Sequence, residues 1–314
     1  LSLRGALAHF LRNAIPTGGT RDIRQGETSL IEQFLYPKRG PGQLWEEVAR
    51  RVVDKGGELH LGHRVTWLKA DTEGHLTAAQ TETTDGERRD WSADLFFSTM
   101  PVRALVKALH PTMVVPEAVQ QVATGLRYRD FLTVGLLADH LQVHDIENGR
   151  RVRIRDNWIY VQEPNVVMGR IQIFNNWSPW MVANPDQTWI GLEYFCSVHD
   201  DLWARSDEDL TEFAIQEAHQ IGILDPTLVR DSVVVRMPQA YPAYFGSYDR
   251  FATLREWTDG IDNLVLIGRN GMHRYNNQDH SMLSAMVAVD GLAAGTLDRD
   301  AIWAVNTEDD YQEA

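Results

Sequence analysis

The chain has very little cysteine. Cys196 is the single one in 314 residues, so no internal disulfide and no cysteine-based zinc site can form. Its setting, Leu192-Glu193-Tyr194-Phe195-Cys196, reads as that of a buried small hydrophobe in a reducing, cytoplasmic compartment. Long apolar runs are also missing, and no segment reads as a membrane span or a secretory signal. Positive charge is in short supply: the net charge is −14. That balance argues against nucleic acid and anionic membrane surfaces as partners, and leaves room for a small anionic ligand at a local arginine cluster. The residues carry no His-Glu-x-x-His, no Gly-x-Ser-x-Gly and no P-loop, and the 11 histidines are scattered. These absences set aside zinc proteolysis, serine hydrolysis and nucleotide hydrolysis, and no metal is expected. Gly-x-Gly-x-x-Gly after a strand is absent too. Gly40-Pro41-Gly42 comes nearest, but Trp45 stands third and no βα unit precedes it.

What is present is an ordinary globular composition, 43% hydrophobic and 24% charged. Apolar periodicity predicts a helix over 2–13, a loop over 16–29, an amphipathic helix over 43–55 and a helix over 102–109. Strands are expected at 58–61, 64–70, 75–83, 88–92 and 95–101. Residues 130–200 read as strand-rich, with strands at 131–137, 157–162, 170–177 and 189–197. A helix over 207–220 starts on Ser206 and Asp209, 232–237 is a strand, and Tyr241 to Phe245 is an aromatic turn. The resulting fold class is α/β (α+β). Residues 1–42 form an entry segment, 43–119 the first part of one domain, 120–258 a mainly antiparallel domain, and 259–314 the return to the first.

The most informative stretch is Gly268 to Ser281. It follows the apolar run Asn263–Ile267 and precedes a helical stretch over 282–294. Strand, glycine turn, polar loop and helix in that order place free helical N–H groups where an anionic cofactor group can sit. Arginines, histidines, a tyrosine and amides crowd the loop. A satisfied polar loop at a sheet edge is the alternative.

This stretch, Gly268-Arg269-x-Gly271 with Tyr275 and then Asn277-Gln278-Asp279-His280-Ser281, resembles the closing FAD-binding motif of UDP-galactopyranose mutases. More distantly it resembles FAD-dependent amine oxidases and protoporphyrinogen oxidases. Phe34-x-Tyr36-Pro37 with Gly40-x-Gly42-x-x-Trp45, and Ser98-Thr99-Met100, are similar to other family segments. Trp158-x-Tyr160, Arg170 and Phe174-Asn175-Asn176-Trp177-Ser178-Pro179 resemble the sugar-nucleotide domain.

The resemblance implies FAD as cofactor, a Rossmann-like FAD domain incomplete at its N-terminus, and an antiparallel substrate domain. It implies that Trp158, Tyr160, Arg170, Tyr241, Arg269 and Tyr275 meet the substrate. Val65, Gly268, Arg269, Asn277, Asp279, His280 and Ser281 would meet the cofactor, Val65 through its backbone. The chemistry is flavin-mediated and no side chain is singled out as catalytic. The implied reaction is a mutase step on a nucleotide sugar such as a UDP-sugar. A net FAD-dependent oxidation stays open, as does an inert fragment unable to hold FAD; a homo-oligomer is open as well. The family's Gly-x-Gly-x-x-Gly would lie ahead of residue 1, which is leucine, so a fragment or processed product that holds FAD weakly or not at all is expected. Ile31, where the family places an asparagine, and Pro164 to Val167 depart from the pattern and leave the sugar undetermined. Arg170 and Arg269, if brought together, are expected to repel unless a bound anion offsets them. Taken without the family, a hairpin with aromatic cross-strand pairs and a surface arginine is the alternative for Trp158, Tyr160 and Arg170.

Overall fold

The computed structural model describes residues 35–109 and 113–306. The segments expected over 2–13 and 16–29, with Ile31 and Phe34, lie outside the described residues. Helix α1, Pro41–Asp54, starts with proline in its first turn and ends at Gly56, whose φ of +88° only glycine adopts without strain. Its apolar stripe, Leu44, Trp45, Val48 and Val52, is exposed. Three antiparallel strands follow: β1 (Arg64–Ala70), β2 (Leu76–Glu82) and β3 (Arg88–Ser92). The strand expected over 58–61 does not form. Among the described residues nothing pairs with this segment, and Leu59 and Leu61 are exposed. A strand without a neighbour leaves its backbone groups to water and gains nothing from alternation.

Next come β4 (Phe96–Ser98), α2 (Val102–Leu109) and α3 (Glu117–Gly125). The chain then builds β5 (Arg127–Ala138), a small hairpin of β6 (Asp145–Glu147) and β7 (Arg150–Val152), β8 (Trp158–Tyr160) and β9 (Arg170–Ile173). β9 does not run on to Trp177 as its apolar content suggests. Residues Phe174–Trp177 form one helical turn, α4, because the two amides find backbone partners off the ladder. The Asn176 amide donates to the carbonyls of Ile154 and Asp156, and Asn175 donates to Gln187 and accepts from Trp189. After β10 (Thr188–Cys196), α5 (Asp201–Ala204) and α6 (Asp207–Gln220), strand β11 runs through Val229–Ala243. β11 absorbs the expected aromatic turn: Tyr241, Pro242 and Ala243 pair with Arg129, Tyr128 and Arg127. The length of β5 supplies these partners. The last elements are α7 (Phe251–Asp259), β12 (Leu264–Leu266), α8 (Gly268–Gly271), α9 (Gln278–Ala293) and α10 (Arg299–Trp303).

Two hydrophobic cores result. One gathers Leu68, Leu105, Val119, Leu254, Val265 and Ile302 from both ends of the described chain. There β12 pairs parallel with β4, Leu264 against Phe96 and Leu266 against Ser98. The other fills the space between a five-stranded antiparallel sheet, ordered β11-β5-β10-β9-β8, and helix α6. Leu132, Val134, Leu136, Ile190, Leu192 and Tyr194 alternate toward it and are fully buried. Truncating one such aliphatic side chain to alanine costs about 2–5 kcal/mol. Strict alternation sends the intervening residues to the opposite face, and that face carries the candidate site.

Candidate functional site

Register assigns the residues of this second face. Glu193 of β10 lies opposite Thr133 of β5 and Arg170 of β9, and Arg170 lies opposite Tyr160 of β8. The neighbouring row places Gly191 against Gln172 and Gln172 against Trp158. Phe195 faces Phe131 on the other side of Glu193. A polar strip, Glu193, Arg170 and Gln172, therefore crosses an aromatic floor.

Arg170 is not a surface residue: it is 6% exposed, and Glu193 is fully buried. The Arg170 Nε–H donates to one Glu193 carboxylate oxygen, and the Gln172 amide donates to the other. Three rings surround the guanidinium, with centroids 5.0 Å (Trp158), 5.5 Å (Phe195) and 6.0 Å (Tyr160) away. Burial alone lowers the guanidinium pKa; the charge and hydrogen bond of Glu193 outweigh burial and raise it, so Arg170 stays protonated. The expectation that only a bound anion offsets Arg170 is therefore corrected, because Glu193 supplies the opposite charge from within the sheet.

The floor continues into the loop from the other core. Tyr241 packs against Phe131 and Phe195, at 6.0 Å and 5.9 Å between centroids, and stacks on Tyr275 at 5.7 Å with planes 11° apart. The Arg269 guanidinium lies over both rings, 5.1 Å from Tyr241 and 4.7 Å from Tyr275. Its Nε donates to the Asn276 carbonyl and Nη1 to the Ala240 carbonyl. Among the described residues no carboxylate pairs with Arg269. Exposed Arg129 sits opposite Tyr241 and shares the face of Phe131 by alternation.

A bulge in β11 makes this junction. Between Met237 and Tyr241 the register slips, and Gln239 takes φ +56°. The buried Asp130 carboxylate holds it, accepting from the backbone N–H of Gln239 (2.7 Å) and Val198 (2.6 Å). The bulge then turns the Gln239 and Ala240 carbonyls toward Asn270 and Arg269.

The loop itself is built for close approach. Gly268 leaves β12 with φ +72°, and its N–H donates to the Ser284 hydroxyl of α9. Gly271 lies so near β4 that a Cβ there would meet the Ser98 carbonyl oxygen at 2.3 Å. Helix α9 begins at Gln278, four residues earlier than apolar periodicity predicts, because its polar first turn is itself helical. Its N-cap, Asn277, makes no side-chain capping bond, so the first N–H groups remain available. Nearby, the buried Ser98 hydroxyl, the Asn270 amide oxygen and His280 Nδ1 have no hydrogen-bond partner among the described residues. Unused donors and acceptors beside an uncapped helix start fit a polar, anionic cofactor group. Ser281 lies against Gly268, and Asp279 is half-exposed with His280 beside it at 3.7 Å. The remaining candidate, Val65, sits in the three-stranded sheet opposite Thr81 with its side chain against the first core.

The fold thus brings Trp158, Tyr160, Arg170, Tyr241, Arg269 and Tyr275 into one continuous group. Sequence reasoning missed Glu193, Gln172, Phe195, Asp130 and Arg129. Glu193 carries a readable signal: it is the single acid in the apolar run Ile190–Cys196, on a strand whose neighbours are buried.

A profile of the family described as flavin containing amine oxidoreductase matches residues 8–277. No curated protein sequence matches the chain. Among solved structures, a reduced UDP-galactopyranose mutase is similar with a TM-score of 0.67 and 20% identity, over 87% of this chain and 56% of its own. A protein assigned as a protoporphyrinogen oxidase from Exiguobacterium sp. 255-15 gives 0.55 and 19%, over 83% of this chain and 49% of its own. The chain spans about half the length of these structures, and at such identity the likeness is one of fold. With most of its length inside the matched profile, this chain belongs to the flavin containing amine oxidoreductase family.

Proposed function

We propose that the protein is an FAD-dependent enzyme whose substrate lies on the β8–β9–β10 face and carries an anionic group, a nucleotide sugar being the substrate class that suits it best. The observation that carries this reading is Arg269, stacked on Tyr241 and Tyr275 with no carboxylate partner among the described residues. A half-buried cation flanked by phenols suits a phosphate, and a hydrophobic amine has no use for it. Exposed Trp158 and Tyr160 offer flat surfaces for a base or sugar.

Gly268, Asn277, Asp279, His280 and Ser281 would hold the flavin at the start of α9, with the Val65 backbone as a further contact. The bound flavin supplies the electron-pair chemistry at the reacting carbon. The chain's own groups bind and orient the substrate. Arg269 stabilises negative charge on a departing phosphate, and Tyr241 and Tyr275 hold its guanidinium in place. That division of labour suits a mutase reaction without net redox change. One observation favours net oxidation instead: Glu193 neutralises Arg170 and so removes one of two cations from a diphosphate clamp. Assaying the reduced, flavin-loaded protein with UDP-galactopyranose, and the oxidised protein with amines under oxygen, separates the readings. Ring-contracted product without oxygen uptake supports the first, and oxygen consumption with an amine supports the second.

A further inference from the structure

Arg170 and Glu193 occupy facing positions on adjacent strands, and neither is open to water. Their charges cancel within the fold. Gln172 holds the second carboxylate oxygen, so Glu193 cannot rotate away without abandoning a buried amide. Trp158, Tyr160 and Phe195 fix the guanidinium from the open side. At the other end of the same floor, Arg269 donates to two carbonyls over the Tyr241 and Tyr275 rings with no carboxylate beside it among the described residues, and Arg129 stands exposed opposite Tyr241. The face is electrically uneven: one end is a neutral polar wall and the other is cationic.

We propose that Glu193 is a specificity-setting residue that cancels and positions Arg170. The site then takes a ligand with its anionic group at the Tyr241–Tyr275–Arg269 end and an uncharged, planar polar part against Trp158 and Tyr160, the two exposed rings over Arg170. This inference rests on the reading of the face as a substrate site. It goes beyond that reading in assigning opposite roles to the two arginines. Charge is read by Arg269, and Arg170, neutralised behind the rings, holds Trp158 and Tyr160 in place for the ligand's uncharged part.

The test is calorimetric titration of uridine monophosphate and uridine diphosphate into the flavin-loaded protein and three variants. With Arg170 cancelled, the second phosphate adds little, and the wild type should prefer the diphosphate by no more than about threefold. Glu193→Gln removes the carboxylate charge that cancels Arg170, so the preference should rise to about tenfold or more while the ligand-free melting temperature falls. The double variant Arg170→Gln, Glu193→Gln removes both charges together and should return the ratio to the wild-type value. Arg269→Gln should weaken both nucleotides by about tenfold or more. A residue with a merely structural role lowers stability and weakens both nucleotides equally, so an unchanged ratio in Glu193→Gln overturns the proposal. A double variant that loses the diphosphate as severely as Arg269→Gln also overturns it, because Arg170 would then be a charge clamp. Failure of the wild type to bind either nucleotide overturns the substrate-face reading itself, and the inference with it.

Discussion

Glu193→Ala tests the internal ion pair through stability alone. The pair is 8% exposed on the arginine side and 0% on the glutamate side. Removing the carboxylate leaves a buried guanidinium and a buried amide without their acceptor. Breaking a buried pair from one side costs about 3–5 kcal/mol, a large share of the roughly 5–15 kcal/mol that holds a typical protein folded. Lys69 and Asp90 give the internal control. That pair is about 36% and 44% exposed, so Lys69→Ala should cost under about 1 kcal/mol. Replacing both buried partners, Arg170→Met with Glu193→Leu, removes the desolvated charges together. Such swaps are neutral or stabilising by about 1–4 kcal/mol. Against that gain stands the Gln172 amide, whose lost acceptor costs about 1–3 kcal/mol. The double variant should therefore lie within about 2 kcal/mol of wild type, well above Glu193→Ala. Urea unfolding, followed by tryptophan fluorescence with and without flavin, reads all four proteins. A loss below about 1 kcal/mol in Glu193→Ala, or a double variant no better than the single one, would refute the reasoning.

Gly271→Ala should be severe, costing about 3 kcal/mol or more, because the new Cβ would meet the Ser98 carbonyl oxygen at 2.3 Å and the Thr99 Cα at 3.1 Å, both backbone atoms. Gly42→Ala has nothing within 4 Å and should stay within about 1 kcal/mol; equal melting temperatures for the two variants would contradict the close approach of α8 to β4. Burial lowers the His273 pKa from 6.5 to about 4, which means folding favours the neutral ring. Its contribution is fully present above pH 6.5 and is lost as pH falls toward about 4, with a ceiling of about 3 kcal/mol. His273→Asn, which tolerates the left-handed φ of +45°, should flatten the pH dependence of urea unfolding over that window, and an unchanged slope would count against it. Burial, followed by the charges of Asp130 and Asp200, raises the Cys196 pKa to about 11, so the folded protein should react with a thiol reagent at pH 8 far more slowly than the unfolded chain.

Periodicity made most elements legible. The 3.6-residue pattern of residues 102–109 and the cap at Ser206 mark helices that the structure contains, and alternation marks β5 and β10. Pairing was the part that sequence could not supply. Leu59 and Leu61 alternate as a strand should, yet a strand exists only through its neighbour. Asn175 and Asn176 turned an apolar run into a helical turn through carbonyls and an N–H distant in sequence. The candidate site divides in the same way. The residues proposed to face the substrate could be named individually, and the loop around Gly268 announced itself by its order of strand, glycine and helix. The partner of Arg170 could not be named, since residues 170 and 193 meet only after β9 and β10 align. That pairing reversed the electrostatic argument about the two arginines. The bulge at Gln239 and the role of Asp130 were equally hidden, because both depend on a register slip opposite β5.

The central claim is that an anionic substrate lies across Arg269, Tyr241, Tyr275 and the β8–β10 face of a flavin containing amine oxidoreductase. Hydrogen exchange of the flavin-loaded protein with and without uridine diphosphate tests it most directly. The account predicts slowed exchange in residues 158–160, 239–244 and 269–276 on ligand addition. The three-stranded sheet of residues 64–92 should stay unchanged. Protection confined to other segments, or no change at saturating nucleotide, would contradict it.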